Sequence, residues 1–301
     1  MKRTVVLGAV VAVGVLSIAV SALQAGQQPA ERSVDIEQVK DNLFVLRGGG
    51  GNTGVFIATD GVVVVDTKNA GWGQPVLDAI GTLTDKPIGT IINTHTHGDH
   101  TSGNVEFPAT VDIVAHENTL ANMTKETGPR DERNDIFRGE NVRFLPKVTF
   151  ADQMSLGTGN DRVDLYYFGR GHTDGDAWVV FPALRVMQTS DSFSGKNPPY
   201  LDARNGASSI DYPETLARVV ATLSNIDSVI SGHSGVMTWD DLQEYVDFNR
   251  ELLATVTASL KAGQSIEEVA KTYTIPAKYE GYDFRYPFPD YVQVVSDQMA
   301  D

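Results

Sequence analysis

Short apolar runs separated by polar turns alternate along the chain with segments of helical spacing. Strands are predicted where β-branched runs lie between glycine-rich or Asp-Gly turns, and helices where apolar residues recur every three or four positions. The predicted strands span residues 42–47, 53–59, 62–66, 88–93, 111–116, 162–168, 177–181, 184–188 and 228–231. Helices are predicted at 72–84, 212–223 and 239–261, and a short one begins at Ser265. The polar segment 117–146 is predicted to be an irregular surface excursion.

The order of these elements indicates the fold class. Each half of the chain shows strands followed by helices, and no regular βαβα alternation runs through the sequence. Such an alternation would indicate a Rossmann or barrel fold. The order found here favours an α/β fold in which two helix-flanked sheets form one domain.

The N-terminal residues have the pattern of a secretory signal peptide. Lys2 and Arg3 precede an apolar run over residues 5–20, and small residues lead to a cleavage point after Ala22. The run is short for a spanning helix of about 20 residues, although an uncleaved anchor is the alternative. We therefore expect a signal peptide at 1–22, a flexible leader at 23–40 and the folded domain at 41–301. The implied location is periplasmic or secreted, without membrane attachment after cleavage.

Charge and cysteine content narrow the possible functions. The chain carries 24 Lys and Arg against 39 Asp and Glu, which gives a formal charge of −15. This excess of acidic residues argues against a nucleic-acid-binding protein, which normally has a basic surface. The absence of cysteine from the sequence excludes disulfides, thiolate nucleophiles and cysteine-ligated zinc. A metal bound by this chain must therefore be held by histidine and carboxylate side chains.

Four residues of metal-ligand type lie within six positions, at His95, His97, Asp99 and His100. The two histidines at the end of the 88–93 strand are two residues apart, so an extended backbone points both imidazoles the same way. Gly98 permits a sharp turn, after which the aspartate and the third histidine can face a second cation. The alternative is a set of solvated histidines that cap the strand without metal.

Three further candidate ligands each follow a predicted strand. His172, Asp191 and His233 lie in loops after the strands that end near residues 168, 188 and 231. Loops at strand exits are where a rigid scaffold presents functional side chains. The sequence therefore predicts that these three residues complete the ligand set of the histidine-rich cluster.

Over about residues 41–235 these motifs resemble the metallo-β-lactamase superfamily. The resemblance implies a four-layer αβ/βα sandwich with a di-metal site at one edge, and a structural role for Asp66. It implies two zinc ions, with the roles of the ligands carried over by position. The first zinc would be held by His95, His97 and His172, the second by Asp99, His100 and His233, and Asp191 would bridge the two.

The same resemblance implies the chemistry of a hydrolase acting on a small molecule. Zinc lowers the pKa of its water to about 7, and the resulting metal-bound hydroxide would attack the carbonyl carbon of an amide or ester. Asp99 would orient this nucleophile and take its proton, as the catalytic residue. Lys196 is a candidate partner for a substrate carboxylate, with a solvated surface lysine as the alternative.

Several alternatives stay open at this stage. The cysteine-using lactamases of the family place a thiolate near the position of Asp191, so this chain is more similar to histidine-only lactamases and to hydrolases with a bridging aspartate. The first candidate function is a β-lactamase-like hydrolase. The second is a glyoxalase II-like thioesterase or a lactonase, and the third is a non-catalytic metal-dependent binding module. The sequence leaves open whether Asp191 bridges, whether zinc, manganese or iron is bound, and the oligomeric state.

Overall fold

The computed structural model describes residues 32–125 and 135–300, and Val34–Asp301 forms one compact unit. Its first sheet has seven strands in the order of the chain, antiparallel from β1 to β4 and parallel from β4 to β7. These strands are β1 (Asp35–Lys40), β2 (Leu43–Arg47), β3 (Thr53–Ile57), β4 (Val62–Val65), β5 (Ile88–Asn93), β6 (Asp112–His116) and β7 (Val148–Phe150).

The second sheet has six strands in the spatial order β13-β12-β11-β10-β9-β8. The pair β11–β12 is parallel and the other neighbours are antiparallel. The strands are β8 (Gln153–Leu156), β9 (Val163–Tyr166), β10 (Trp178–Phe181), β11 (Val186–Ser190), β12 (Ser228–Ser231) and β13 (Val236–Thr238).

Helices cover the outer face of each sheet. The α-helices of the described residues are α1 (Gly73–Leu83), α2 (Gly98–Thr101), α3 (Glu117–Thr124), α4 (Tyr212–Thr222), α5 (Trp239–Lys261), α6 (Ile266–Thr272) and α7 (Phe288–Ala300). Apolar residues of α1 and α3 pack in one cluster with the first sheet, and those of α4 to α7 pack in another with the second sheet. No helix of the described residues combines the length and the apolar character needed to cross a membrane.

Side-chain alternation along the strands explains the layering. Val64 belongs to the cluster under α1, whereas its neighbour Val65 belongs to the cluster between the two sheets. In the same way Val180 faces the helices of the second sheet and Val179 faces the first sheet. Because successive strand residues point to opposite faces, a strand buried on both faces is continuously apolar. The result is the helix–sheet–sheet–helix sandwich that the sequence predicts.

Two sequence-based expectations are corrected by the structure. The strand β1 lies within the segment 23–40 that was predicted to be a flexible leader, because its backbone pairs with β2 although its side chains are mostly exposed. The segment 117–146 begins with the helix α3, in which Thr119 and Met123 are buried, and Phe144 is buried further on. This helix has few apolar residues, so the apolar pattern does not reveal it. The predicted signal peptide at 1–22 lies outside the described residues.

Candidate metal centre

Two groups of metal-ligand side chains converge at one edge of the sandwich. In the first group, ligand atoms of His95, His97, His172 and Asp191 all lie within 4.8 Å of one another, and all four residues are buried. The first two residues follow β5, His172 lies in the loop between β9 and β10, and Asp191 follows β11 directly. The structure thus brings together residues that the sequence places almost 100 positions apart.

The second group consists of Asp99, His100 and His233, whose ligand atoms also lie within 4.8 Å of one another. Asp99 and His100 belong to the single-turn helix α2, and His233 follows β12. The Oδ2 atom of Asp99 lies 3.3 Å from Nε2 of His233 and 3.7 Å from Nε2 of His100. A third of the Asp99 side chain is exposed, so this group opens toward solvent.

Asp191 contacts both groups. Its Oδ1 atom lies 3.4 Å from Nε2 of His100 and 3.3 Å from Nε2 of His233, while its Oδ2 atom lies 3.7 Å from Nε2 of His172. One carboxylate oxygen therefore faces each group. This is the geometry that a carboxylate needs if it is to ligate two cations at once. We refer below to all seven residues of the two groups as the metal centre.

The donor atoms of the metal centre fit divalent cations. Nε2 of His95 is buried and makes no hydrogen bond among the described residues. Nδ1 of His97 lies 3.0 Å from Nε2 of His172, and Nε2 of His100 lies 3.4 Å from Nε2 of His233. Buried nitrogens that face each other in this way need a proton or a cation between them. Imidazole nitrogens combined with carboxylate oxygens are ligands typical of zinc.

Charge states in the centre favour cation binding. Burial and neighbouring imidazoles lower the pKa of His95 and His172, which keeps these rings in the neutral form that ligates metals. Burial would raise the pKa of Asp191, but the neighbouring His100 outweighs it and holds that pKa well below the usual range. Burial alone would lower the pKa of His233, yet Asp191 and Asp99 raise it to about 9. A cation that binds His233 must therefore displace a proton.

Outer hydrogen bonds fix the orientation of the imidazoles. Nδ1 of His100 lies 2.8 Å from Oδ2 of Asp66, and the same carboxylate accepts from the main chain and the hydroxyl of Thr94. Asp66 thus fills the structural role that the sequence analysis predicts for it. It leaves Nε2 of His100 free to face the centre. Such partners of metal-binding imidazoles typically matter almost as much as the ligands.

Two outer partners are missed by the sequence analysis. Oδ2 of Asp202 lies 2.8 Å from Nε2 of His97, and the carbonyl of Tyr200 lies 2.7 Å from Nδ1 of His172. Asp174 and Asp176, which lie close to His172 in the sequence, bond elsewhere. Asp176 accepts from the main chain and hydroxyl of Thr173, and Asp174 accepts from the amide of Asn122.

A glycine-rich loop packs against the second group. The main-chain N–H of Gly51 donates to the carbonyl of Asp99 at 3.0 Å, and that of Asn52 donates to Gly232 at 2.7 Å. A Cβ atom on Gly51 would lie 2.0 Å from Cε1 of His100, so only glycine allows this approach. The loop therefore lies at the edge of the metal centre and supports it.

Lys196, the predicted substrate-binding residue, has other partners in the structure. Its Nζ atom lies 2.8 Å from Asp241 and 3.2 Å from Glu244, both at the start of α5. These two carboxylates raise its pKa. Its contact with a substrate carboxylate therefore stays a prediction.

His116, a buried histidine outside the metal centre, bonds the carbonyl of Ala151 and caps α3.

Comparisons with known proteins identify relatives of this chain. The family model described as metallo-beta-lactamase superfamily matches residues 46–246. A metallo-beta-lactamase type 2 from Elizabethkingia meningoseptica is 24% identical over 263 residues, which cover 82% of this chain and 96% of that protein. The alpha subunit of 2,4-dinitroanisole O-demethylase from Nocardioides sp. (strain JS1661) is 28% identical over 171 residues, 55% of this chain and 48% of that protein.

A solved structure shares the fold. The metallo-beta-lactamase from Pontibacter korlensis aligns with a TM-score of 0.60 at 18% identity, covering 72% of this chain and 99% of that chain. At this level of identity the likeness shows the fold alone. It confirms the predicted α/β sandwich.

Proposed function

The chain belongs to the metallo-beta-lactamase superfamily, and from this premise we propose that it is a secreted hydrolase that binds two zinc ions and cleaves an amide or ester bond of a small molecule. The observation that carries the proposal is the convergence of seven ligand-type residues in two adjacent groups, with one oxygen of Asp191 directed to each. The family match and the relatives support zinc-dependent hydrolysis, and the assignment of these seven residues to two ions is the step that we propose.

Zinc ions bound here would supply Lewis acidity toward a carbonyl oxygen and would lower the pKa of water. Residues of the chain orient the side chains that would bind the zinc ions. Asp66 and Asp202 orient two of the imidazoles from behind, so that Nε2 of His100 and Nδ1 of His97 face the centre. Because these carboxylates are buried and already hydrogen-bonded, the imidazoles need little reorganisation when a cation binds.

Asp99 is the residue we assign to proton transfer. Burial would raise its pKa, but His100 and His233 hold the pKa of this carboxyl well below the usual range. The carboxylate is therefore ionised at neutral pH and can orient a water by accepting its hydrogen bond; we assign the proton transfer to it from its position and not from its pKa. Its partial exposure places it between the buried donor atoms and solvent, where the substrate must arrive.

An amide or ester substrate is favoured by the relatives, one of which is named as a metallo-beta-lactamase and matches 82% of this chain. The relative named as an O-demethylase shows that family membership does not settle the bond that is cleaved.

Secretion is supported by the signal-peptide pattern of residues 1–22. Sequencing the N-terminus of protein recovered from outside the cytoplasm should give a chain that begins at Leu23.

Metal analysis combined with a substrate panel tests the proposal. We expect about two zinc ions per purified chain and turnover of one member of a panel comprising a chromogenic cephalosporin, an acyl-homoserine lactone and a glutathione thioester. His97→Ala should lose both zinc from the first group and turnover. His116→Ala is the matched control, because it removes a buried histidine that lies outside the metal centre. Less than one zinc per parent chain, or unchanged turnover in His97→Ala, would refute the assignment.

A further inference from the structure

A cavity of about 230 Å³ lies beside the metal centre. One wall is the loop of residues 198–204, which includes two prolines and Tyr200. The opposite wall comes from the C-terminal part of the chain, where Tyr286 precedes α7 and Phe288, Tyr291 and Val294 belong to it. Aromatic and aliphatic side chains thus face each other across the cavity.

The cavity and the metal centre share a wall. The stretch that contributes Tyr200 to the cavity also gives a carbonyl to His172 and the Asp202 carboxylate to His97. The Tyr200 ring centroid lies 6.0 Å from that of His97 and 5.5 Å from that of Tyr286. The carbonyl and the carboxylate bond the ring nitrogens that face away from the centre, so the link between centre and cavity rests on the two short ring distances, which one small substrate can span.

The C-terminal wall is preformed and belongs to a part of the chain outside the family match, which ends at residue 246. Phe288 and Tyr291 are buried, and their rings stack with centroids 5.8 Å apart. Phe288 also packs on Tyr273, which follows α6. This segment therefore lies outside the matched region, and it supplies an apolar surface.

Size and charge limit what the cavity can take. Pockets for whole ligands have volumes of about 300–1,000 Å³, whereas a cavity of about 150 Å³ accepts benzene. The volume of about 230 Å³ therefore fits one ring-sized group. The charged lining residues are Asp202, Asp290 and Arg204, two carboxylates against one guanidinium, so an anionic group is disfavoured. The apolar walls favour a neutral group over any charged one.

We propose that this cavity is a substrate subsite that takes one neutral aromatic or similarly apolar ring-sized substituent, so that the C-terminal segment sets substrate preference. The proposal rests on the proposed function, since it assumes that the reacting bond lies at the metal centre. It narrows the substrate class to small molecules that carry such a substituent close to the bond that is cleaved.

Binding of a probe tests the subsite without any need for turnover. The probe is 4-fluorophenylacetamide, titrated into the zinc-loaded protein and followed by ¹⁹F NMR. Val294→Phe should fill the cavity and weaken probe binding about tenfold or more, because the ring can no longer be buried. Gln293→Phe is the matched control, because it adds the same ring one residue earlier on an exposed position of α7. Ala203→Phe, on an exposed position of the opposite wall, repeats the test if Val294→Phe does not fold.

A substrate pair tests the consequence for specificity. Two substrates with the same reacting bond and either a benzyl or a methyl substituent should differ in kcat/KM by about tenfold or more in the parent and in Gln293→Phe. In Val294→Phe the ratio should fall toward one. An unchanged ratio, equal probe binding by Val294→Phe and the parent, or no saturable probe binding by the parent overturns the subsite. If Val294→Phe weakens probe binding as expected but neither substrate of the pair turns over, the cavity is shown to bind an apolar ring and the hydrolase assignment fails, and with it the role of the cavity as a substrate subsite.

Discussion

Replacing Lys68 by methionine should change how the stability of the protein depends on pH. Lys68 is fully buried, and its Nζ atom donates to the carbonyls of Leu46 at 2.9 Å and of Gly51 at 2.8 Å. Burial lowers the pKa of this lysine to about 7, and Asp66 opposes the shift only in part. A neutral amine keeps two N–H donors, so both hydrogen bonds survive the loss of the proton.

The sign and size of the effect follow from the two pKa values. Below pH 7 lysine is protonated in both the folded and the unfolded chain. Between pH 7 and the ordinary value of 10.5 the unfolded chain holds a proton that the folded chain lacks. The free energy of unfolding therefore rises with pH by about 1.4 kcal/mol per unit over this range. From pH 7 to pH 9.5 the contribution of Lys68 amounts to about 3 kcal/mol.

Denaturant titrations followed by circular dichroism, in the presence of a chelator, measure this contribution. The quantity of interest is the unfolding free energy of the parent minus that of Lys68→Met at each pH, because other titrating groups cancel in the difference. Lys86→Met is measured alongside, since it removes an exposed lysine that donates to one carbonyl. We expect the difference for Lys68→Met to rise by about 3 kcal/mol between pH 7 and pH 9.5. A difference that stays flat or falls would refute the reasoning.

Two further predictions concern the surroundings of the metal centre. Asp202→Asn removes the charge that His97 faces and should weaken zinc binding to the first group about 10- to 100-fold in a chelator competition titration, and unchanged affinity would contradict this role. Gly51→Ala places a methyl group 2.0 Å from Cε1 of His100 and should reduce bound zinc to about one ion per chain by elemental analysis. Gly89→Ala, which has open space around the new methyl, is its control, and two retained ions in Gly51→Ala would count against the packing argument.

Much of the sandwich and of the ligand set could be predicted from the sequence because the signals are local. The strand β5 is an apolar run that ends at Asn93, and the two histidines of the His95–His97 pair follow at once. Asp191 and His233 likewise come directly after strands, where the backbone leaves the sheet at a fixed edge. Strand ends and side-chain alternation are fixed by neighbouring residues, so a pattern over a few positions is enough to find them.

The outer partners could not be found in this way. Asp202 lies 105 residues from His97 in the chain, and no periodicity or turn signal connects the two. Their contact depends on how the loop after Asp191 folds back over the centre. Asp176 lies much closer to the histidines in the sequence, but its carboxylate is used by the local turn at Thr173. The edge strand β1 was missed for a related reason, since its pairing with β2 is made by backbone groups rather than by an apolar pattern.

The distribution of the ligands links metal binding to the docking of the two sheets. Four of the seven residues of the metal centre follow β5 of the first sheet, and the other three leave strands of the second sheet. Each donor group contains residues from both sheets, and Gly232 beside Asp191 has no space for a side chain. The centre therefore exists only when the sheets are packed together. Cations bound as proposed would stabilise that packing by mass action, and sheet docking and metal binding would then be parts of one equilibrium.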